Sequence, residues 1–341
     1  MSTRRHALIT AAAALIAALP LACDDPDSAS EDIDFRGGAG QGGPLFNTPK
    51  LFTSEVAAVD TTGLALAGVT LVGVEVWVGG VLKPITAGSL DVDHGTLTAQ
   101  VGAVVVEGTA FTNSRWTFKV DGLQLQAKLT TVEAAGAVGL YLPSSPSELR
   151  MLDPERLVYT FTYTDDKKNV INVCKSDSVG GARMVIYGDI VVDHKRGDIS
   201  SRANSAYFGC IAGAVGKAAL WGYAPDSPWL TSVPLPAFET AVRAVRADYC
   251  GDGKPNTNVG NAVTLRDSWA INGFPELPFT TEAVWAAGGG AVCVNRIRAT
   301  GVTLLAPYVC SNGELIPLCG DEKTVETDWD AGTGDIWSKI P

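Results

Sequence analysis

The chain has 341 residues, 46% of them hydrophobic and 18% charged, with a formal net charge of -11. At roughly 100–200 residues per domain this is one large or two ordinary domains, and the composition excludes collagen-like and wholly disordered chains. With 26 Lys+Arg against 37 Asp+Glu and no basic run, a phosphate backbone is repelled and no nucleic-acid partner is expected.

Arg4, Arg5 and His6 precede an uncharged stretch from Ala7 to Ala22, the layout of a secretory signal peptide over residues 1–22. That stretch is too short for an ordinary transmembrane span. Leu19-Pro20-Leu21-Ala22-Cys23 resembles a bacterial lipobox, in which Cys23 is lipidated and becomes the mature N-terminus; cleavage by the general signal peptidase is the alternative. Residues 23–44 then read as a tether: Asp24, Asp25, Asp27, Glu31, Asp32 and Asp34 lead into the glycine-rich run 37–43, with too little apolar surface to order itself. The expectation is an exported, membrane-anchored lipoprotein in the periplasm or at the cell surface. Removing residues 1–22 leaves 24 basic against 37 acidic residues, a charge of -13.

Six cysteines follow Cys23: Cys174, Cys210, Cys250, Cys293, Cys310 and Cys319. An even number in an oxidising compartment predicts three disulfides, with 15 connectivities open. The short spacing makes Cys310–Cys319 the first expectation. Histidine is scarce, with only His94 and His194 beyond His6, so a three-histidine metal centre is excluded and a triad has few bases.

Residues 45–150 read as a β-rich, antiparallel, barrel-like domain, with strands over 64–71, 74–78, 98–106, 114–120 and 123–129. Gly79-Gly80 and Asp121-Gly122 mark hairpin turns. Residues 151–341 read as a disulfide-stabilised α+β region. Strands are predicted over 157–164, 170–174 and 184–192, an alanine-rich helix over 211–221, and a clearer helix over 236–249, with Pro236 near its start and glycines after Cys250 to stop it. Beyond Gly251 the chain reads as loop-rich, with strands over 291–298 and 302–305.

Arg246-Ala247-Asp248-Tyr249-Cys250-Gly251-Asp252-Gly253 resembles the signature of the ADYC-domain family of exported bacterial proteins. Ala219-Leu-Trp-Gly-Tyr223, Ala291-Val-Cys-Val-Asn-Arg296 and the segment from Glu107 to Trp116 also resemble family landmarks, extending the resemblance over residues 60–320. It implies a family label and no activity. Similar members carry a cysteine pair where this chain has Ala218 and Ala241, and a histidine where it has Asn256.

The motif has a structural reading: Cys250 in a disulfide, Tyr249 packed, Gly251 and Gly253 at positive φ, and Asp248 and Asp252 capping or pairing with Arg243 or Arg246. A nucleophilic Cys250 would need a base such as His194 or His94, and an oxidising compartment argues against a free thiol. Asp252, Asn256 and Asn258 cluster oxygen ligands for Ca2+ but lack the spacing of an EF-hand, so no metal or catalytic residue is assigned. The tryptophans at 77, 116, 221, 229, 269, 285, 329 and 337 are core residues or exposed platforms. A structural or ligand-binding role at the cell envelope is therefore expected, with a glycan or protein as ligand. The alternative is a hydrolase using acids near the motif, which requires a pocket around Asp248 or Asp252.

Overall fold

The computed structural model describes residues 45–46, 57–120, 122–140, 154–165, 167–177, 179–226, 233–274 and 277–341. The segments expected to be a signal peptide (1–22) and a tether (23–44), with Cys23, and Trp229 lie outside them. The architecture is β-rich α+β, as expected.

Ten antiparallel strands form the larger sheet. Ala58–Asp60, Ile199–Cys210, Met184–Val192, Leu157–Thr164, Leu123–Ala134, Arg115–Val120, Val69–Val78 and Ala65–Leu66 follow one another across it, with Val170–Asn172 and Val81–Pro84 paired at its sides. The turn after Asp60, closed by the Gly63 N–H on the Asp60 carbonyl at 3.1 Å, carries the chain from one end strand to the other. No ladder joins those two strands, so the sheet is barrel-like but not closed. Strands from either side of residue 150, where a domain boundary is expected, pair in this one sheet.

Alternation along the strands separates two cores. Leu71, Val74, Trp116, Phe118, Leu129, Phe161, Ile186 and Phe208 point inward, where Trp116 meets the rings of Phe161 and Phe208 edge-on. A small sheet of Asp91–Asp93, Thr96–Val101 and Val104–Glu107 packs into this interior with Leu97, Ala99 and Val106. Its last two strands correct the single strand expected over 98–106: Gly102, at φ +62, sits in a two-residue turn that pairs Val101 with Val104. Tyr159 ties it down, accepting from the Leu97 N–H at 3.1 Å and donating to the Gly95 carbonyl at 2.8 Å.

The opposite parity, Val158, Val185, Tyr187 and Tyr207, faces helices α1 (Ala214–Leu220) and α2 (Leu235–Arg246). The same core takes in Val263, Leu265, Ala283, Trp285 and Ile336 from a second sheet, ordered Leu45–Phe46, Ala262–Asp267, Ile336–Ile340, Thr280–Trp285 and Ala291–Val294. Three of these strands correct the loop expected after Gly251. Helix α3 (Glu322–Asp330), capped by the Asp321 carboxylate on the Thr324 N–H at 2.8 Å, is likewise unforeseen and packs Val325 beside Trp337. Ala218 and Ala241, the alternative cysteine positions, are both fully buried on helices that pack together.

Three disulfides form: Cys174–Cys210, Cys250–Cys310 and Cys293–Cys319. The expected Cys310–Cys319 bridge is wrong. Cys293, on the strand Ala291–Val294, takes Cys319, while Cys310 closes onto the end of α2, so sheet position outweighs short spacing.

Burial in α1 lowers the Lys217 ammonium to about 8. Its proton is therefore held less tightly in the folded chain than in the unfolded one, so the stability deficit is full below pH 8 and is relieved as pH rises toward the unfolded value of 10.5. Lys217→Met should stabilise the fold at pH 7 by up to about 3 kcal/mol. In urea titrations across this range the gain should shrink with rising pH; a pH-independent difference would contradict the assignment.

Candidate functional site

The signature begins where α2 ends. The helix stops at Ala247, whose left-handed φ of +51 turns the chain out while the Asp248 N–H returns to the Arg243 carbonyl at 3.0 Å. The stop thus comes before the glycines expected to provide it. Asp248 is fully buried and closes the following turn, accepting from the N–H groups of Asp252 at 3.2 Å and Gly253 at 3.0 Å. Its carboxylate also lies 3.4 Å from Arg243 and 3.7 Å from Arg246. Burial pushes this carboxyl above its ordinary range, and the two guanidiniums oppose the shift without cancelling it.

Gly251 and Gly253 adopt φ of +64 and +88, as expected. At Gly253 the requirement is also spatial, because a Cβ would lie 2.0 Å from the Lys195 carbonyl. The loop bearing His194 is therefore packed against the motif, but the His194 ring meets Tyr207 at a centroid distance of 6.2 Å. Burial lowers its imidazole against the opposing pull of Asp193. His94 engages the Asp226 carbonyl at 2.7 Å.

Arg243 gathers further acids, meeting Glu239 at 2.9 Å and Asp198 at 2.5 Å, while Glu239 accepts the Ile199 N–H at 2.8 Å. Tyr249 points the other way. Its ring stacks on Trp285 at 5.5 Å, and its hydroxyl donates to Glu282 at 2.7 Å while accepting the Arg298 N–H at 3.0 Å. Burial drives this phenol well above its usual value, and Glu282 adds to the shift. Glu282 pairs in turn with buried Arg298, whose guanidinium reaches back to the Ala244 carbonyl at 2.6 Å. Composition and spacing gave no sign of this Glu282–Arg298 pair, since no strand was expected at Thr280–Trp285.

Cys250 is held by Cys310 and is no free nucleophile. Asp252 accepts from the Ser311 hydroxyl at 2.6 Å and the Lys254 N–H at 3.0 Å; burial pushes its carboxyl up, but these contacts prevail and hold it below the usual range. Asn256 accepts from the Tyr308 hydroxyl at 3.0 Å, and the Asn258 amide donates to the Ala299 carbonyl at 2.9 Å. Among the described residues no group of three or more His, Cys, Asp or Glu is placed to hold a metal. The motif thus joins α2, the strand Thr280–Trp285 and the segment around Cys310. A cleft elsewhere is lined by Val284, Val292, Val325, Trp329 and the Cys293–Cys319 disulfide, with no signature residue in it.

The aromatic inventory divides clearly. Trp116, Trp221, Trp285 and Trp337 are buried, Trp269 and Trp329 are partly so, and Trp77 is 48% exposed on the larger sheet. Neither the curated proteins nor the solved structures yield a match. The family model for the ADYC domain matches residues 108–300, from the short helical turn before Arg115–Val120, through both core helices and the Asp248 turn, to just past Arg298. With more than half its length matched, and with the signature residues at the junction of its sheets and helices, the chain belongs to the ADYC-domain family.

Proposed function

We propose that this protein is an exported lipoprotein, anchored through Cys23, whose rigid body serves a structural or ligand-binding role at the cell envelope. The observation that carries this reading is the pairing of all six cysteines after Cys23 into three disulfides, an economy suited to an oxidising compartment and consistent with the leader at residues 1–22. A scaffold role is further supported by the signature itself, whose charged and hydroxyl groups are spent on internal contacts. Asp248, one of the two acids named for a hydrolase, is fully buried between two arginines, and the other, Asp252, is bonded to the Ser311 hydroxyl at 2.6 Å.

Intact-mass measurement on protein extracted from its native membrane, before and after reduction and alkylation, tests the reading. The expected species begins at Cys23, carries an acyl-lipid increment, and exposes alkylatable thiols at the other six cysteines only after reduction. An unlipidated chain with a free thiol at Cys250 would overturn it.

A further inference from the structure

The outer parity of the larger sheet is covered by α1 and α2 over Met184–Val192 and Ile199–Cys210, but it is open over Val69–Val78, Arg115–Val120 and the first half of Leu123–Ala134, up to Lys128. Register places the outward residues of this open face, exposed or half-buried, in rows. Glu75 pairs with Arg115 and Arg115 with Lys128; Gly73 pairs with Thr117 and Thr117 with Gln126; Thr70 pairs with Lys119 and Lys119 with Gln124. Trp77 stands two residues beyond Glu75 on the same face, beside its partner Leu82. At about 3.3 Å per residue and 4.8 Å between strands, the strip is roughly 20 Å long and 10 Å wide.

Three features make this strip unlike the rest of an acidic chain. Arg115, Lys119 and Lys128 are exposed, none makes an ion pair among the described residues, and Glu75 is the one acid in the rows. Arg115 and Lys128 stand directly opposite each other, an arrangement that destabilises a sheet. Trp77 offers an apolar ring face beside them, its Nε1 held by the Asn113 carbonyl at 3.3 Å. Cations, an aromatic platform and a row of hydroxyl and amide groups together complement an extended chain that carries carboxylates, hydroxyls and apolar ring faces.

We propose that this outer face binds an acidic, carboxylate-bearing glycan strand, with Arg115, Lys119 and Lys128 meeting the carboxylates, Trp77 stacking on a sugar ring, and Thr117, Gln124 and Gln126 hydrogen bonding to hydroxyls. This rests on the ligand-binding reading above and names its ligand class.

The test is calorimetric titration of the full mature protein in detergent with a short oligogalacturonate, a neutral cello-oligosaccharide of equal length, and poly-glutamate. The uronate should bind at low salt and weaken as salt is raised. Loss of one charge-assisted or stacking contact, in Lys128→Glu or Trp77→Ala, should weaken it about tenfold or more. Lys128→Glu also replaces the like-charge pair by an opposite-charge one, so its thermal midpoint should rise while binding falls, which separates loss of the site from loss of fold. Absence of uronate binding, equal affinity for the neutral sugar or for poly-glutamate, or variants that bind like wild type would each overturn the proposal. Lipidation at Cys23 is read separately by mass, so an unlipidated chain that binds uronate fails the anchoring reading alone.

Discussion

Glu282→Ala should lower the unfolding free energy by about 3–5 kcal/mol, the cost of leaving one member of a buried ion pair without its counter-charge. Both side chains of the Glu282–Arg298 pair are essentially inaccessible, and the same carboxylate accepts the Tyr249 hydroxyl. The substitution therefore leaves a buried guanidinium without its counter-charge and takes one acceptor from the Tyr249 phenol, which keeps the Arg296 carbonyl at 3.2 Å, in the layer that holds α2 against the second sheet. Replacing both charges, as in Glu282→Met with Arg298→Met, should recover a large part of the loss, because the pair must itself be desolvated to form. Urea denaturation of the single and double variants measures both quantities. A single-variant loss below about 1 kcal/mol would mean that water reaches the pair.

The second large effect concerns the Cys250–Cys310 bridge, which spans 60 residues, against 36 for Cys174–Cys210 and 26 for Cys293–Cys319. Chain-entropy arguments give about 4 kcal/mol for a loop of that size, so Cys250→Ala with Cys310→Ala should be the most destabilising of the three paired replacements. The local setting adds to the expectation, because the bridge fixes the segment from which Tyr308 meets Asn256 and Ser311 meets Asp252. Urea midpoints of the three paired variants should fall in the order of their spans. If the Cys250–Cys310 variant were the least affected, the motif would be held by its buried charges and not by its bridge.

Much of the larger sheet was legible because its strands bury one face and wet the other. Leu157–Thr164 and Met184–Val192 coincide with the stretches that their β-branched and aromatic content marks out. Ile199–Cys210 escaped because after Ile199 its first half is Ser, Arg, Ala and Asn, with Asn204 at φ +59 breaking the alternation. The second sheet was missed for a different reason. Thr280–Trp285 is buried almost throughout and hides a glutamate made tolerable by Arg298 and Tyr249, partners 16 and 33 residues away that no local pattern announces.

At the site, the capping and packing roles of Asp248, Tyr249, Gly251 and Gly253 could be inferred from residue chemistry, because short-range turns have short-range signatures. The cysteine partners could not, since they depend on which strands become neighbours. The open basic face was equally hidden: Arg115, Lys119 and Lys128 look like scattered surface charges until register sets them side by side.

The pairings of the first two described strands also dictate an order of events. Leu45–Phe46 is completed by Ala262 and Val263, and Ala58–Asp60 by residues 205–207, with Thr61 bonded to Asn204 across a separation of 143 residues. In a chain delivered N-terminus first at roughly 5–20 residues per second, those early strands wait on the order of 10 s or longer for their partners. Throughout that wait their hydrogen-bonding edges are open to other chains. Nascent chains stopped short of Val263 should therefore be the species most dependent on chaperones, and the finished body should form late, after the last of its crossing strands has arrived.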